Sequence, residues 1–153
     1  MSSFVVRRAD WDDPIGAALR TAQKTEVSAR YQVEDSEPGP LPTADDMTSF
    51  FVAFDASDVP VGCGGLRQLD AEHGEIKRMY VVPASRGTGA ATALLRRLEQ
   101  DARERGWSRL VLETGDRQPD AMRFYEREGY TSIPAFGYYV DSPLSRCYEL
   151  TLK

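Results

Sequence analysis

The sequence predicts an α+β fold of three layers, in which helices flank a mixed, mostly antiparallel central β-sheet. Three strand-like segments, residues 50–55, 60–68 and 75–82, follow one another through short turns, as in an antiparallel meander. The third segment then leads through a long amphipathic helix to another strand, and strands joined by a crossover helix lie parallel. Together the two halves predict one mixed sheet with helices on its faces.

The N-terminal third begins with a strand and a helix. Residues 4–8 form a short strand-like run, and Asp13 with Pro14 is typical of an N-cap followed by proline at the first helical position. Apolar residues then recur at helical spacing, so the helix is predicted to run to about Tyr31. Residues 34–42 hold three prolines and a glycine and are predicted to form a loop.

The meander follows this loop. Residues 50–55 read FFVAFD, which indicates a buried strand. Residues 60–68 form a second strand whose three glycines should weaken and bend it. A turn over residues 70–74, which contains His73, leads to the third strand, and Pro83 ends that strand.

The second half starts with the long helix. Its apolar stripe predicts burial along one face and consists of Ala91, Leu94, Leu95, Leu98 and Ala102. Gly106 is a natural stop for this helix. A strand over residues 110–113 comes next, then a helix that Pro119 opens and Gly129 closes, and then strands near residues 130–133 and 147–152.

Composition and charge exclude several classes of protein. The 153 residues suffice for one domain, residues 1–153, with a core of its own. A net charge of −5 argues against binding to nucleic acid or to an anionic membrane. Two cysteines without CxxC spacing and a single histidine argue against a His/Cys zinc site. Without an apolar run of ~18 residues or a signal-like N-terminus, the expected location is cytoplasmic.

The glycine-rich segment between the third strand and the long helix carries the clearest functional signal. In residues 82–92, VPASRGTGAAT, two glycines allow a tight turn that brings backbone N–H groups close to a ligand. The N-terminus of the following helix favours phosphate, and Arg86 adds a positive charge. A P-loop would need a lysine after Gly89, and a dinucleotide fingerprint would need a third glycine at Thr92. Glu113, at the end of the next strand, resembles the ribose-binding acid of such a fingerprint, so the dinucleotide alternative stays open.

Three motifs in their order resemble the GNAT (GCN5-related) N-acetyltransferase superfamily. RGTGAA, residues 86–91, resembles its pyrophosphate loop, and EIKRMYVVP, residues 75–83, resembles the strand before that loop. LETGDRQPDAMRFYEREGY, residues 112–130, resembles its later strand and helix. The resemblance covers roughly residues 50–133 and departs from the family pattern at Ala91, where a glycine is commoner, and at Gln118, where asparagine is usual.

The resemblance implies that acetyl-CoA enters a cleft where the sheet splays between the strands 75–82 and 110–113. Backbone groups of residues 79–81 would pair with the pantetheine chain, and amides of residues 87–91 would hold the pyrophosphate beside Arg86. The expected cofactor-binding residues are Met79, Tyr80, Val81, Arg86, Gly87, Thr88, Gly89, Ala90, Ala91, Thr92, Gln118, Ala121 and Tyr125. No metal is expected to take part.

Acetyl transfer to an amine needs a base, an oxyanion donor and an acid for the leaving thiolate. An alkyl amine with a pKa of ~10.4 is largely protonated at neutral pH, so a carboxylate should accept its proton. The resemblance implies Glu75 as this base, with Glu113 and Glu34 in reserve. It implies the N–H of Val81 as the oxyanion donor and Tyr125 as the acid for the sulfur.

The acceptor is expected to be the primary amine of a small molecule or amino acid. Acidic residues in and after the first helix, such as Glu26, Glu34 and Asp46, favour a cationic amine. Lys77 and Arg78 point instead to an acceptor that bears a carboxylate. Two alternatives stay open, namely acetylation of a protein or peptide N-terminus and a CoA-binding regulatory module without turnover. A homodimer is also left open.

Overall fold

The described part of the chain, residues 3–32 and 40–152 of a computed structural model, forms one seven-stranded sheet flanked by three helices. The elements in chain order are β1 (Val5–Arg8), α1 (Pro14–Tyr31), β2 (Ser49–Phe54), β3 (Pro60–Gln68), β4 (His73–Val81), α2 (Ala90–Glu104), β5 (Arg109–Gly115), α3 (Pro119–Arg127), β6 (Thr131–Ile133) and β7 (Ser145–Thr151). No helix within these ranges is long and apolar enough to cross a membrane.

The strands lie in the order β1-β2-β3-β4-β5-β7-β6. Every neighbouring pair is antiparallel except β4 and β5, which are parallel and joined by α2. The predicted meander and the predicted crossover are therefore both confirmed. The sheet is mixed and mostly antiparallel because its one parallel pair sits where the chain crosses over through a helix.

Helix α1 begins and ends as the sequence predicts. The Asp13 carboxylate accepts a hydrogen bond from the N–H of Ile15 at 3.0 Å, and Pro14 is the first helical residue. After Tyr31 the chain enters a left-handed conformation at Gln32, which ends the helix. Leu19 of α1 packs with Phe50 in a small core on one face of the sheet.

Helix α2 covers the opposite face, which holds the larger core. Leu94, Leu95, Leu98 and Ala102 are fully buried there, as predicted, but the stripe starts at Ala90 rather than Ala91, which is only half-buried. Gly106 follows the helix with a φ of 81°, a left-handed conformation that glycine adopts without strain.

Strand β4 differs from its prediction at both ends and in its middle. His73, which was expected in the preceding turn, is its first residue, and the strand ends at Val81. Gly65 pairs with Lys77 and Cys63 with Tyr80, so β4 carries one extra residue, a β-bulge at which Arg78 has a φ of 61°. The ladder between β4 and β5 stops at the pair Ile76 and Leu112. Beyond this pair the two parallel strands separate.

Candidate functional site

The separation of β4 and β5 opens a cleft, as the resemblance implied. A cavity of about 420 Å³ extends from this cleft along α1. Its walls come from α1, the C-terminal halves of β4 and β5, and α3, with Met79, Thr114 and Ala121 among the lining residues. A volume in this range suits a small ligand or part of a larger one.

The edge of β4 presents backbone groups to this cleft. The N–H of Val82 donates to the carbonyl of Val61 at 2.9 Å, so the next pair, Val81 with Gly62, is a non-hydrogen-bonded pair of the ladder. In such a pair both backbone groups point away from the partner strand. The N–H and C=O of Val81 therefore point away from β3, towards the open side of β4.

Two side chains bind carbonyls along this edge. The Gln23 Nε2 of α1 donates to the carbonyl of Met79 at 2.9 Å, and the Arg86 Nε donates to the carbonyl of Val81 at 2.9 Å. A chain that pairs with β4 in the manner of an added strand would take the place of these side chains at the carbonyls. The edge is thus suited to bind a linear amide-containing group such as pantetheine.

The glycine loop ends at the N-terminus of α2. Gly87 and Gly89 have φ values of 75° and 98°, and Gly89 is the N-cap of the helix. The Thr88 hydroxyl donates to the carbonyl of Ser85 and so braces the turn. First-turn amides of a helix have no intrahelical acceptor, and the helix dipole is positive there. The amides of residues 90–92 therefore fit a phosphate group.

Arg86 lies beside this loop and is held by an acid on α1. Its guanidinium binds both carboxylate oxygens of Glu26, at 2.8 and 3.0 Å, and Glu26 also pairs with Arg30 at 3.2 Å. Tyr80 lies under the Arg86 guanidinium, 5.7 Å from it. A pyrophosphate at the loop would compete with Glu26 for Arg86, because both are oxyanions.

Glu75 lies in a buried polar cluster rather than on the cavity wall. Only 2% of its surface is exposed, and it is absent from the lining. Its Oε1 accepts from Arg67 at 3.1 Å, and its Oε2 accepts from the Tyr139 hydroxyl at 2.7 Å. Lys77, which does line the cavity, donates to the same hydroxyl at 2.9 Å. Tyr139 and Lys77 thus connect Glu75 with the cavity.

Helix α3 contributes the other wall of the cleft. The predicted residues Gln118, Ala121 and Tyr125 all line the cavity, at a spacing that places them on one face of α3. Tyr125 is buried, and its ring packs edge-on against Phe124 and Tyr130. Burial raises the pKa of Tyr125 well above its usual value. Its hydroxyl therefore stays protonated at neutral pH and can donate.

The two carboxylates named in reserve have different positions. Glu113 lines the cavity on β5, and its carboxylate accepts from the Ser145 hydroxyl at 2.6 Å. Glu34, in the predicted loop over residues 34–42, lies outside the described residues. Asp46 lies 3.3 Å from Arg67.

Sequence reasoning missed the contacts of several residues that shape the site, and it named Glu26 only as one of the acids that favour a cationic amine. Gln23, Glu26 and Tyr139 contact the predicted cofactor edge, the predicted pyrophosphate residue and the predicted base. Each of them contacts a partner that is more than 50 residues away along the chain. The sequence signals that were available were helical spacing on α1 and an aromatic cluster at residues 136–139, and neither signal names a partner.

A family model described as the acetyltransferase (GNAT) family matches residues 11–130 of the chain. The matched range includes all three helices, the glycine loop and both strands of the cleft. The match therefore rests on the elements that build the cavity.

Relatives and solved structures are similar to the chain over most of its length. An IAA acetyltransferase of Azospirillum brasilense is 39% identical over 67% of this chain and 67% of that protein. An amino-acid acetyltransferase of Mycobacterium tuberculosis is 30% identical over 75% of this chain and 68% of that protein. The chain spans about two thirds of the length of both, and less of several other relatives. A Klebsiella pneumoniae structure assigned to the acyl-CoA N-acyltransferases aligns with a TM-score of 0.83, 29% identity and 98% coverage of both chains.

Proposed function

The chain belongs to the GNAT acetyltransferase family, and we propose that it transfers the acetyl group of acetyl-CoA to a primary amine of a small molecule or amino acid. The observation that carries this proposal is the cleft between β4 and β5, which has a glycine loop and a helix N-terminus after one of its strands. The family binds acetyl-CoA, and this cleft has the groups that such a molecule needs.

The described residues fit acetyl-CoA in three places. The amides of residues 87–92 and the Arg86 guanidinium would hold the pyrophosphate, because both favour a doubly charged oxyanion. The backbone groups of Met79 and Val81 that face the open side of β4 would pair with the amides of the pantetheine chain, whereas those of Tyr80, which pairs with Cys63, point towards β3. Gln118 and Ala121 would contact the cofactor from α3, where both residues line the cavity.

The N–H of Val81 would stabilise the oxyanion of the reaction. The amine attacks the thioester carbonyl, and negative charge develops on the carbonyl oxygen as the carbon becomes tetrahedral. A fixed N–H on the cleft side of β4 can donate to that oxygen without reorganisation. Removal of one such donor in other enzymes costs about 3 kcal/mol of transition-state stabilisation.

Glu75 would accept the proton that the amine loses. Because Glu75 is enclosed, the proton would move by a relay in which Tyr139 gives its proton to Glu75 and takes one from Lys77. The Lys77 amine, which lines the cavity, would then accept the proton that the acceptor amine loses. Glu113 is the alternative base, since its carboxylate lies on the cavity wall. Glu75 and Glu113 lie on different strands and share no partner in these contacts, so a single substitution of each shows which one accepts the proton.

Tyr125 would donate a hydrogen bond to the sulfur as the thiolate leaves. An ordinary thiol has a pKa of ~8.5, and burial raises the pKa of Tyr125 above that of a free phenol. The thiolate is therefore a weaker base than the Tyr125 phenolate, and we expect stabilisation by a hydrogen bond before any complete transfer of the proton.

The test is incubation of the purified chain with acetyl-CoA and a panel of amines, amino acids and peptides. Released thiol would be measured over time, and acetylated product would be identified by intact mass. We expect turnover with small amines or amino acids, because the cavity of about 420 Å³ lies beneath α1 rather than on an open surface. Turnover of peptides alone would favour the N-terminal acetylation alternative. Binding of acetyl-CoA with no acetylated product would favour a regulatory module.

Tyr125→Phe tests the role of the Tyr125 hydroxyl in the same assay. This variant keeps the ring that packs against Phe124 and Tyr130 and removes only the hydroxyl. We expect kcat to fall roughly tenfold to a hundredfold, at or below the lower end of the effect usual for a proton-transfer group. Thermal stability and acetyl-CoA affinity should be retained. An unchanged kcat would remove Tyr125 from the mechanism.

A further inference from the structure

The cavity wall carries basic side chains for which the proposed chemistry has no use. Among the described lining residues four are basic and one, Glu113, is acidic. Arg20 and Lys24 lie on α1 with Ala17 and Thr21 at helical spacing, so they belong to the helix face that lines the cavity. Lys77 and Arg78 belong to β4.

Arg20 is held in place by Trp11. Its guanidinium lies 3.5 Å from the centroid of the Trp11 ring, and its Nη2 donates to the Trp11 carbonyl at 2.6 Å. Arginine stacks on aromatic rings more readily than lysine does, and the stacking fixes the plane of the guanidinium. Arg20 is thus preorganised, which lowers the entropy cost of binding a ligand.

The positive charge of Arg20 is poorly compensated by the described residues around it. Its Nε is buried and has no hydrogen-bond partner among them. Burial is the main cause that lowers the pKa of Arg20; Cys63 opposes it, the neighbouring charge of Arg78 lowers the pKa further, and Asp12 has the smallest, opposing effect. Two cations that repel each other across a partly desolvated cavity would both be stabilised by an anion placed between them.

The position of Arg20 also suits the reaction. Gln23 donates a hydrogen bond to the carbonyl of Met79 and so fixes this part of α1 beside the β4 edge. Arg20 lies three residues before Gln23, which is about 4.5 Å along the helix axis. Arg20 and Met79 both line the cavity, so a ligand held at Arg20 would share this space with a group bound at the β4 edge.

We propose that Arg20, with Lys24 and Arg78 beside it, binds an acidic group of the acceptor, so that the acceptor is an amine that also bears a carboxylate or a phosphonate. This inference rests on the proposed acetyl transfer and specifies its substrate class. Arg20 is a binding residue in this role and takes no part in proton transfer. Lys77, which is bonded to Tyr139, belongs to the Glu75 cluster instead.

The first experiment compares acceptors that differ only in their charge. β-Alanine and 2-aminoethylphosphonate, called the anionic acceptors here, bear an acidic group beside the amine; in β-alaninamide, called the neutral acceptor, an uncharged amide replaces the carboxylate. In Arg20→Gln we expect the KM of an anionic acceptor to rise at least tenfold, while kcat/KM for β-alaninamide and the KM for acetyl-CoA change less than twofold. The comparison of each variant with the wild type removes the effect of the different amine pKa values of the acceptors.

Further variants separate charge from packing. Arg20→Lys keeps the charge and should recover part of the affinity for the anionic acceptor, although it loses the stacking on Trp11. Lys24→Gln, which changes an exposed residue, should raise the same KM by a smaller factor. Arg103→Gln, on the exposed side of α2, is the control for loss of one positive charge and should change nothing.

The outcomes distinguish this inference from the proposed function. Equal loss for anionic and neutral acceptors in Arg20→Gln would overturn the anion site and leave acetyl transfer intact. Without any turnover, calorimetry with N-acetyl-β-alanine in the presence of CoA still decides the question. Binding by the wild type that weakens at least tenfold in Arg20→Gln would support the site, and absence of binding by the wild type would overturn it.

Discussion

Glu75 is a carboxylate whose two oxygen atoms are both fixed by neighbours. Arg67 binds one oxygen, and the Tyr139 hydroxyl binds the other. Lys77 lies 3.7 Å from the second oxygen and adds a second positive charge. Such a group is costly to disrupt, because removal of one partner of a buried ion pair leaves the other uncompensated. Glu75 is therefore both a candidate base and a structural residue, and an experiment must separate the two roles.

Glu75→Gln should lower kcat about 100-fold or more, because the amide cannot accept the proton of the amine. A purely structural role would lower kcat by the same factor at every pH, whereas loss of the base would leave only the already neutral amine able to react, so the deficit should shrink as the pH approaches the amine pKa of ~10.4. Steady-state kinetics across pH, on protein whose folding is checked by circular dichroism, measure both effects. Glu113→Gln is the matched control, and we expect its kcat to change less than threefold. If Glu113→Gln loses activity and Glu75→Gln keeps it, Glu113 is the base.

Residue positions were predictable where a linear motif fixes them. Gly87 and Gly89 have the left-handed conformations that a tight turn needs, and Gln118 and Tyr125 line the cavity from one face of α3. Tyr139 shows the limit, because it contacts Glu75 across 64 residues of sequence. Contacts of that kind depend on how the strands pair, and no spacing in the sequence records them.

At the scale of elements, a buried acid on α2 fastens the helix to the sheet. Asp101 accepts hydrogen bonds from Arg8 of β1 at 2.7 Å, from Ser49 of β2 at 2.9 Å and from Arg105 of its own helix at 2.9 Å. Burial alone would raise the pKa of Asp101. The hydrogen bonds, of which the one from Arg105 has the largest effect, hold this pKa below its usual value. The ionised form of Asp101 therefore stabilises the folded state.

Asp101→Asn should lower the free energy of unfolding at pH 7 by about 1.5 to 3 kcal/mol, the usual contribution of hydrogen bonds to a charged group. A carboxylate with a lowered pKa in the folded state stabilises the protein above its unfolded pKa of ~3.9, and this stabilisation is lost as the pH falls through the folded pKa. The difference between the wild type and the variant should thus shrink below about pH 4. Urea unfolding at pH 7 and pH 3 measures it, and a difference that stays constant with pH would contradict the ionic role. Asp120→Asn, at an exposed site on α3, is the control.

Elements were predicted more reliably than their ends. The stripe of α2, the cap of α1 and the meander follow from local pattern, and each is present in the structure. Strand β5 was predicted over residues 110–113 but extends to Gly115, because its last residues pair with β7. Pairing with β7, 30 residues later in the chain, extends β5 past the point at which it leaves β4. A local sequence pattern cannot predict hydrogen bonds to so distant a strand.

For the whole molecule, the cleft follows from how the two halves of the sheet meet. Only four residue pairs join β4 to β5, and a bulge then changes the course of β4 at Arg78. Tyr31, at the end of α1, fills one side of the opening, and its hydroxyl accepts from the N–H of Arg117 at 2.9 Å. A Cβ at Gly115 would lie 1.6 Å from that hydroxyl, so close packing here requires glycine. The helix end and both strands together define the cavity, and ligand binding should therefore stabilise the whole domain.

Acetyl-CoA should raise the free energy of unfolding by about 2.7 kcal/mol at a concentration of 100 times its Kd, because it binds the folded state alone. Gly89→Trp should abolish this stabilisation together with binding, since a bulky side chain would stand at the loop that holds the pyrophosphate. Calorimetry measures the binding, and thermal unfolding with and without acetyl-CoA measures the stabilisation.

Gly106→Trp is the matched control for Gly89→Trp, because the two glycines flank opposite ends of α2. Both have positive φ, 81° at Gly106 and 98° at Gly89, and the space around each position is open to a Cβ. Both substitutions therefore carry a similar backbone cost, about 1 to 2 kcal/mol for a left-handed residue, and both should lower the melting temperature without acetyl-CoA. Only Gly106→Trp should recover stability when acetyl-CoA is added, because only its N-terminal loop is intact. Retained micromolar binding in Gly89→Trp, or loss of binding in Gly106→Trp, would contradict the assignment of the phosphates to the N-terminus of α2.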